Sequence, residues 1–259
     1  MTNRLKKNNV SGKLIGLLAL LSLIFVGYVA WHYRYAIYKR VWPTVQRYRP
    51  SRIPQDFEVH GIDVSRYQGK IDWPALGKVN RIYPIRFVII RATMGSLGED
   101  REFPRNWELA GEKGLKRGAY HYYNPNQNST LQAENFILTV DLKSGDLPPV
   151  LDIEELSDIQ SEQQLIKGIR NWLEMVEGHY GVKPILYSSA SFYRAYLLRH
   201  FSEYPLWVAN YNRVFDPLPG KDWLIWQHTD SGTLDGIGGY VDLNVFNGGL
   251  REFEQLSMP

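Results

Sequence analysis

From residue 57 onward, short apolar runs alternate with stretches of helical periodicity. Eight such runs predict strands, at residues 57–65, 86–93, 117–123, 148–154, 183–189, 205–210, 223–228 and 240–246. An apolar stripe at helical spacing predicts a helix after the fourth run, formed by Leu165, Ile169, Trp172 and Val176. Two possible capping boxes predict helix starts, Ser129 with Gln132 and Ser161 with Gln164. This alternation predicts an α/β fold of parallel βα units, and eight strands favour a small (β/α) barrel over an open sheet.

The first 56 residues follow a different pattern. Residues 14–31 form a run of 18 residues without a charge, which as a helix would span about 27 Å, close to the hydrocarbon thickness of a bilayer. Tyr28, Trp31 and Tyr33 lie at its end, where aromatic belts form. The pattern predicts a basic tail (1–13), a transmembrane signal anchor (14–31), a basic juxtamembrane linker (32–56) and a globular domain (57–259). A cleaved signal peptide and a buried soluble helix are the alternatives for residues 14–31.

Charge is divided unevenly between these segments. The chain has 30 Lys and Arg against 27 Asp and Glu, and the first 53 residues hold ten of the basic residues and none of the acidic ones. The remainder therefore has 20 basic and 27 acidic residues, which argues against nucleic acid as a partner of the globular domain. The positive charge of the first 53 residues favours binding to a membrane surface with anionic lipids. With no cysteine in the chain, disulfides, zinc–thiolate sites and cysteine nucleophiles are excluded.

Two carboxylates are the most informative feature of the fourth predicted strand. Asp152 and Glu154 are two residues apart, so their side chains project from the same face. Neighbouring carboxylates raise one another's proton affinity, so one can stay protonated near neutral pH while the other stays ionised. Glycoside hydrolysis needs that division of roles. The alternative is that both are solvated carboxylates of a loop; Glu155 falls on the opposite face and is predicted to lie on the surface.

Two further acids lie within apolar strand patterns, Asp63 in the first and Asp242 in the last. In a βα barrel, the C-terminal ends of the strands line the active site. The four acids are therefore predicted to converge on one pocket. Taken singly, each aspartate could instead be a structural residue that caps a loop.

Aromatic residues accompany the acids. Sugar rings have apolar faces that stack on aromatic side chains, so aromatic residues at strand ends are candidates for a glycan cleft, although core packing is the alternative for each. The predicted substrate-binding residues are Tyr67, Tyr122, Tyr187, Trp207, Tyr211 and Gln227. The six histidines show no pair at metal-ligand spacing, and Ser188 and Ser189 lack a G-x-S-x-G elbow. No metal and no cofactor are predicted.

Seven segments in the same order resemble glycoside hydrolase family 25, the muramidases or N,O-diacetylmuramidases of the Chalaropsis type. They are HGIDVSRYQGKIDW (60–73), FVIIRATMG (87–95), KRGAYHYYNP (116–125), PVLDIEE (149–155), PILYSS (184–189), PLWVANY (205–211) and WQHTDSGTLDGIGGYVDLNVFNG (226–248). The resemblance covers nearly all of the globular domain. It implies a modified, flattened (β/α)8-like barrel that cleaves the β-1,4 bond between N-acetylmuramic acid and N-acetylglucosamine in peptidoglycan.

The same resemblance implies roles for the acids. Glu154 matches the proposed general acid, and Asp152 would attack the anomeric carbon or stabilise an intermediate formed by the substrate's acetamido group. Asp63 and Asp242 match the other two acids of the family. The chain departs from the family at one strand end, where Met94 replaces a common acid and Arg91 a common lysine. That departure concerns substrate contacts made from this strand end.

Together these inferences predict a membrane-anchored peptidoglycan hydrolase. Its partners would be peptidoglycan glycan strands and, through the anchor, the bacterial cytoplasmic membrane, crossed once with the catalytic domain outside the cytoplasm. Four Lys and Arg precede the apolar segment and six follow it, so charge alone leaves the orientation ambiguous. Two alternatives stay open: a chitinase-like glycosidase, and a non-catalytic peptidoglycan-binding scaffold. The chitinase signature has further aspartates just before the Asp-x-Glu pair, where this chain has LPPVL.

Overall fold

The computed structural model describes residues 10–32, 53–54, 56–212 and 214–259. The chain divides into two compact units, Met1–Pro50 and Ser51–Pro259. In the first unit, helix α1 covers Val10–His32 and so includes the predicted apolar segment. Among the residues described, no helix is long and apolar enough to cross a membrane. The transmembrane part of the predicted anchor is therefore not supported by the structure and stays a prediction. The predicted basic tail and linker fall almost entirely outside the described residues.

The second unit contains strands and helices in alternation. The strands are β1 (His60–Val64), β2 (Ile85–Met94), β3 (Gly98–Glu99), β4 (Lys116–Tyr122), β5 (Val150–Asp152), β6 (Ile185–Ser189), β7 (Leu206–Ala209), β8 (Ile225–Gly232) and β9 (Val241–Phe246). The helices are α2 (Phe103–Glu112), α3 (Ser129–Thr139), α4 (Glu162–Tyr180), α5 (Ala190–Phe192), α6 (Leu198–Phe201) and α7 (Leu250–Gln255). A 3₁₀ turn covers Arg66–Gln68, and a π-helical turn, Tyr193–Leu197, joins α5 to α6.

Eight of the strands close into a barrel in the order β1-β9-β8-β7-β6-β5-β4-β2, with β1 pairing back to β2. All eight predicted strands are confirmed. The expectation of parallel units holds for the barrel strands β1, β2 and β4 to β8, but not for β9, which is antiparallel to both β8 and β1. The reason is the short connection of residues 233–240, which carries no crossover helix, so the chain can only turn back. Strand β3, a two-residue strand antiparallel to the end of β2, was not predicted.

Apolar side chains form two cores, one on each side of the barrel strands. Phe87, Val150 and Ile225 belong to the inner core, which fills the barrel. Leu151 and Ile153 belong to the outer core, which lies between strands and helices. Along this segment the side chains therefore alternate, and those of residues 150, 152 and 154 point into the barrel.

The predicted helix stripe is confirmed, because all four of its residues are buried on α4. The capping box of Ser161 and Gln164 is also present at the start of α4. The other predicted box is wrong. Asn128 caps α3 instead of Ser129, and Gln132 is buried, where its side chain hydrogen-bonds both backbone groups of Asn124.

Candidate active site

Three strands bring the predicted acids to one end of the barrel. Asp63 is near the end of β1, and Asp242 is at the start of β9. These two residues are paired directly, because the strands are antiparallel. Asp152 ends β5, where it pairs with Tyr122 on β4 and Tyr187 on β6. Glu154 follows two residues later, so the four acids predicted to converge do lie at the same end of the barrel.

Asp63 is buried and held by two side-chain amides. Its Oδ2 accepts hydrogen bonds from Nε2 of Gln227, at 2.8 Å, and from Nδ2 of Asn244, at 2.7 Å. Burial raises the pKa of Asp63 to about 6, although the hydrogen bonds from Asn244, Gln227 and Asp242 oppose the increase. Desolvation therefore outweighs three hydrogen bonds, and this carboxyl titrates close to neutral pH.

Asp63 and Asp242 also hydrogen-bond one another, which requires a shared proton. The pKa of Asp242 is raised well above its usual range by burial, by the charges of Asp63 and Asp230, and by the hydrogen bond itself. The same bond lowers the pKa of Asp63. The two carboxyls therefore titrate as a pair that shares one proton.

Asp152 is a buried acid at the end of β5. Burial raises its pKa well above the usual range, the charges of Glu154 and Asp63 add to the increase, and Arg91 opposes it. Within the described part of the chain, its Oδ1 is buried without a hydrogen-bond partner. A carboxyl oxygen in that situation is available to a proton or to a group of a bound ligand.

The charge of Glu154 affects most of the titratable groups of the site. It is half-buried, and its charge raises the pKa of Tyr122, Asp152, Tyr187, Tyr211 and Asp242. Those residues come from β4, β5, β6, the segment after β7, and β9. A carboxylate that shifts the pKa of groups from five elements at the barrel mouth is placed to contact a ligand bound there.

Gln227 joins two of the predicted tyrosines to Asp63. Its Oε1 accepts hydrogen bonds from the hydroxyls of Tyr187, at 2.7 Å, and Tyr211, at 2.5 Å. The amide geometry then directs Nε2 to Asp63. Gln227 was predicted to bind substrate, but the structure buries it, so that it orients an acid rather than lining the cleft.

Trp207 and Tyr187 also differ from their predicted sugar-stacking role. They are 2% and 5% exposed, and their ring centroids are 4.4 Å apart within the inner core. The indole Nε1 of Trp207 donates to Oδ1 of Asn244 at 2.8 Å, and Asn244 in turn donates to Asp63. Rings buried in the inner core cannot stack on a sugar, so these two residues support the acids through hydrogen bonds to Gln227 and Asn244.

The other predicted aromatic residues lie nearer the surface. Tyr122 and Tyr211 are half-buried at the barrel mouth. Tyr67 is 75% exposed on the 3₁₀ turn after β1, with its ring 4.9 Å from the guanidinium carbon of Arg91. These three residues, and not Tyr187 or Trp207, present aromatic surface to a ligand.

Two residues that hold the site in place, Asn244 and Asp100, were missed by the sequence reasoning, and Arg91 was named only as a departure from the family pattern. Asn244 lies two positions after Asp242 on β9, a spacing that places both on the same strand face. Arg91 points into the barrel and donates from Nε to Asp100 at 2.8 Å, and both side chains are buried. Asp100 also accepts from the backbone N–H of Arg66 at 2.9 Å, which fixes the turn that carries Tyr67. Within the described residues, no group of three or more ligating side chains is arranged to hold a metal ion.

Comparisons with known proteins agree with this geometry. The family described as Glycosyl hydrolases family 25 matches residues 62–237, more than half of the chain. Lysozyme M1 of Streptomyces globisporus is 32% identical over 73% of this chain and 68% of its own length. YegX of Escherichia coli O6:H1 is 42% identical over 93% of this chain and 90% of its own length.

Solved structures give the same result. A family 25 glycosyl hydrolase from Bacillus anthracis superposes with a TM-score of 0.73 and 31% identity, over 82% of this chain and 99% of that chain. The bacterial lysozyme of Streptomyces coelicolor superposes with a TM-score of 0.68 and 30% identity, over 78% and 98% of the two chains. The chain therefore belongs to glycosyl hydrolases family 25 and is a glycoside hydrolase.

Proposed function

We propose that this enzyme is a muramidase that cleaves the β-1,4 bond between N-acetylmuramic acid and N-acetylglucosamine in peptidoglycan. The observation that carries the proposal is the group of four acids at one end of the barrel, contributed by β1, β9 and the end of β5. Family membership and the lysozyme relatives support the choice of substrate.

The roles follow from the surroundings of each acid. Glu154, half-buried at the barrel mouth, protonates the glycosidic oxygen. Asp152 acts on the anomeric carbon, either by direct attack or by supporting the substrate's own acetamido group. Asp63 and Asp242 share a proton beside this pair and set the electrostatic potential in which it works.

Digestion of purified peptidoglycan by the full chain, followed by mass spectrometry of the products, tests the proposal. A muramidase leaves N-acetylmuramic acid at the new reducing ends. Reducing-end N-acetylglucosamine would show that the opposite bond is cleaved. Binding without any cleavage would favour a scaffold, and release of products from chitin but not from peptidoglycan would favour a chitinase-like enzyme.

Exchange of Glu154 for glutamine tests the assignment of the acid. The Glu154→Gln variant is expected to fold normally and to lose about 10²- to 10⁴-fold in turnover, the usual contribution of positioned acid catalysis. Glu108→Gln is the matched control, because Glu108 is an exposed glutamate on α2. If Glu154→Gln keeps more than about half of the wild-type rate, Glu154 is not the general acid.

We further propose that residues 14–31 anchor the enzyme in the bacterial cytoplasmic membrane, with the catalytic domain outside. Two observations support the anchor: the run of 18 residues without a charge, and the large apolar side chains described on α1, such as Leu17 and Leu23, which are 53% and 71% exposed. Apolar side chains exposed in such a continuous run are unfavourable in water. Peptidoglycan lies outside the cytoplasmic membrane, which decides the orientation.

A C-terminal reporter that is active only outside the cytoplasm tests this orientation, and intact-mass analysis of the membrane fraction tests retention of the anchor. Activity of the reporter together with a full-length mass is expected. A cytoplasmic reporter would contradict the orientation, whereas a soluble form that begins near residue 30 would contradict only the anchor.

A further inference from the structure

A cavity of about 420 Å³ opens beside the acids, at the strand end where the chain departs from the family pattern. Its lining contains no charged side chain and consists of Met94, Gly95, Ser96, Leu97, Gly98, Tyr122, Asn124 and Gln127. Leu97, at the tip of the β2–β3 turn, is 91% exposed. The cavity therefore suits an uncharged, partly apolar group.

The cavity is rigid. Asn135 on α3 donates from Nδ2 to the carbonyl oxygens of Gly95 and Gly98, at 3.0 and 3.1 Å, and so fixes the β2–β3 turn. Gln127 accepts from the N–H of Ser96 at 2.6 Å and closes the other side. Gly95 has a φ of +56°, in the left-handed region that favours glycine.

The cavity and the acid site share Tyr122. Met94 pairs with Tyr122, and Tyr122 pairs with Asp152, on the adjacent strands β2, β4 and β5. At the usual spacing between strands, the backbones of Met94 and Asp152 are about 10 Å apart. Burial raises the pKa of Tyr122, and the charges of Glu154 and Asp152 raise it further, which places the phenol within the field of both acids. A sugar bound over the acids therefore has its substituents within reach of this cavity.

We propose that this cavity binds the lactyl ether of the N-acetylmuramic acid whose bond is cleaved, together with the start of the peptide stem attached to it. This inference rests on the proposed muramidase function. The lactyl group carries a methyl, and its carboxyl is uncharged where an amide joins it to the stem. Met94 and Leu97 would contact the methyl groups, and the side chains of Asn124 and Ser96 would hydrogen-bond the amide. A carboxylate in place of Met94 would remove the apolar contact and would lose hydration beside the occupant's methyl groups.

The prediction is that the enzyme prefers glycan strands that still carry their stems. Initial rates are measured with the full-length enzyme on soluble strands with stems, and on the same strands after an amidase has removed the stems and left free lactyl carboxylates. Met94→Gln and Leu97→Asn change the apolar contacts without adding charge. On stem-bearing strands, each is expected to raise KM about five- to tenfold with little change in kcat, the factor expected for losing one or two buried methyl-sized contacts.

On stem-free strands the two variants are expected to match the wild type, because the free lactyl carboxylate would find no charged partner in this cavity and would stay in solvent. Failure of the wild type to cleave stem-free strands would also support the proposal. Leu138→Asn is the matched control, because Leu138 is an equally exposed leucine, 86%, on α3; it should change neither substrate's KM. An equal rise in KM on both substrates would show that the cavity holds a sugar. An unchanged KM on both would show that the cavity does not bind the substrate. Both results overturn the inference and leave the muramidase function standing, whereas a wild type that cleaves neither substrate overturns both.

Discussion

Replacement of Asp63 by asparagine is expected to stabilise the barrel at pH 7 while it removes most of the activity. Burial holds the pKa of Asp63 at about 6, against an ordinary value of 3.8. The folded state therefore takes up protons more readily than the unfolded state, and the carboxyl opposes folding more strongly as the pH rises from below 4 to above 6. Linkage gives a penalty of about 3 kcal/mol at pH 7 and less than about 1 kcal/mol at pH 4.

Asparagine avoids this penalty and can keep the local hydrogen bonds. Its Oδ1 can accept from Gln227 and Asn244 as Oδ2 of Asp63 does now, at 2.8 and 2.7 Å. Its amide group can then donate to Asp242, which no longer needs to carry the shared proton. The gain in the free energy of unfolding is therefore expected to approach about 3 kcal/mol at pH 7. For a domain of this size, each kcal/mol corresponds to a rise in Tm of about 2 to 4 °C.

Thermal unfolding of wild type and Asp63→Asn at pH 7 and pH 4 measures this effect. Asp146→Asn is the matched control, because Asp146 is equally buried but accepts a hydrogen bond from Arg117 at 2.9 Å. The control should lose stability, since its carboxylate is compensated by a cation. A lower Tm for Asp63→Asn at pH 7, or an equal gain at both pH values, would refute the reasoning.

Three further predictions address other parts of the barrel. Gly61→Ala should destabilise the protein by about 1 to 3 kcal/mol in urea unfolding, because a Cβ there would lie 2.4 Å from the ring of Phe87; an unchanged midpoint would contradict it. Burial lowers the pKa of His228 to about 3, so stability should be lost as the pH falls from about 6.5 towards 3, and His228→Phe should flatten this dependence in thermal scans. Arg91→Met should move the limb of the pH–rate profile that reports Asp152 to higher pH, because Arg91 holds the pKa of that acid down, whereas Arg91→Lys should largely restore the wild-type profile.

The strands and the acids could be predicted from the sequence because their signals are local. An apolar run of five to eight residues indicates a buried strand wherever it occurs, and the alternation in PVLDIEE places Asp152 and Glu154 on one face without knowledge of the rest of the fold. Strand β3 has two residues and no such run. The antiparallel direction of β9 follows from the lack of a crossover helix before it. A search for strand patterns alone takes no account of the connections between strands.

The hydrogen bonds that hold the acids could not be predicted, because they join residues that are far apart in the sequence. Asn244 and Asp63 are 181 residues apart in the chain, and Gln227 and Asp63 are 164 apart. An aromatic residue at a strand end has the same sequence pattern whether its ring faces the ligand or the barrel core, so Trp207 was assigned to the cleft although it is buried. Its hydrogen bond to Asn244 becomes visible only when β7 and β9 are brought together by β8.

The choice of amides around Asp63 has a consequence for the chemistry of the site. Gln227 and Asn244 donate hydrogen bonds that orient the carboxylate, but neither adds a full positive charge, and desolvation still prevails. Arg117 beside Asp146 shows the contrasting arrangement in the same barrel, where a guanidinium compensates the acid. Because amide donors leave the pKa of Asp63 at about 6, the pair that it forms with Asp242 can take up or release a proton close to neutral pH. The same arrangement makes the folded barrel less stable at pH 7 than an amide at position 63 would, which is the trade expected where a buried charge is kept for function.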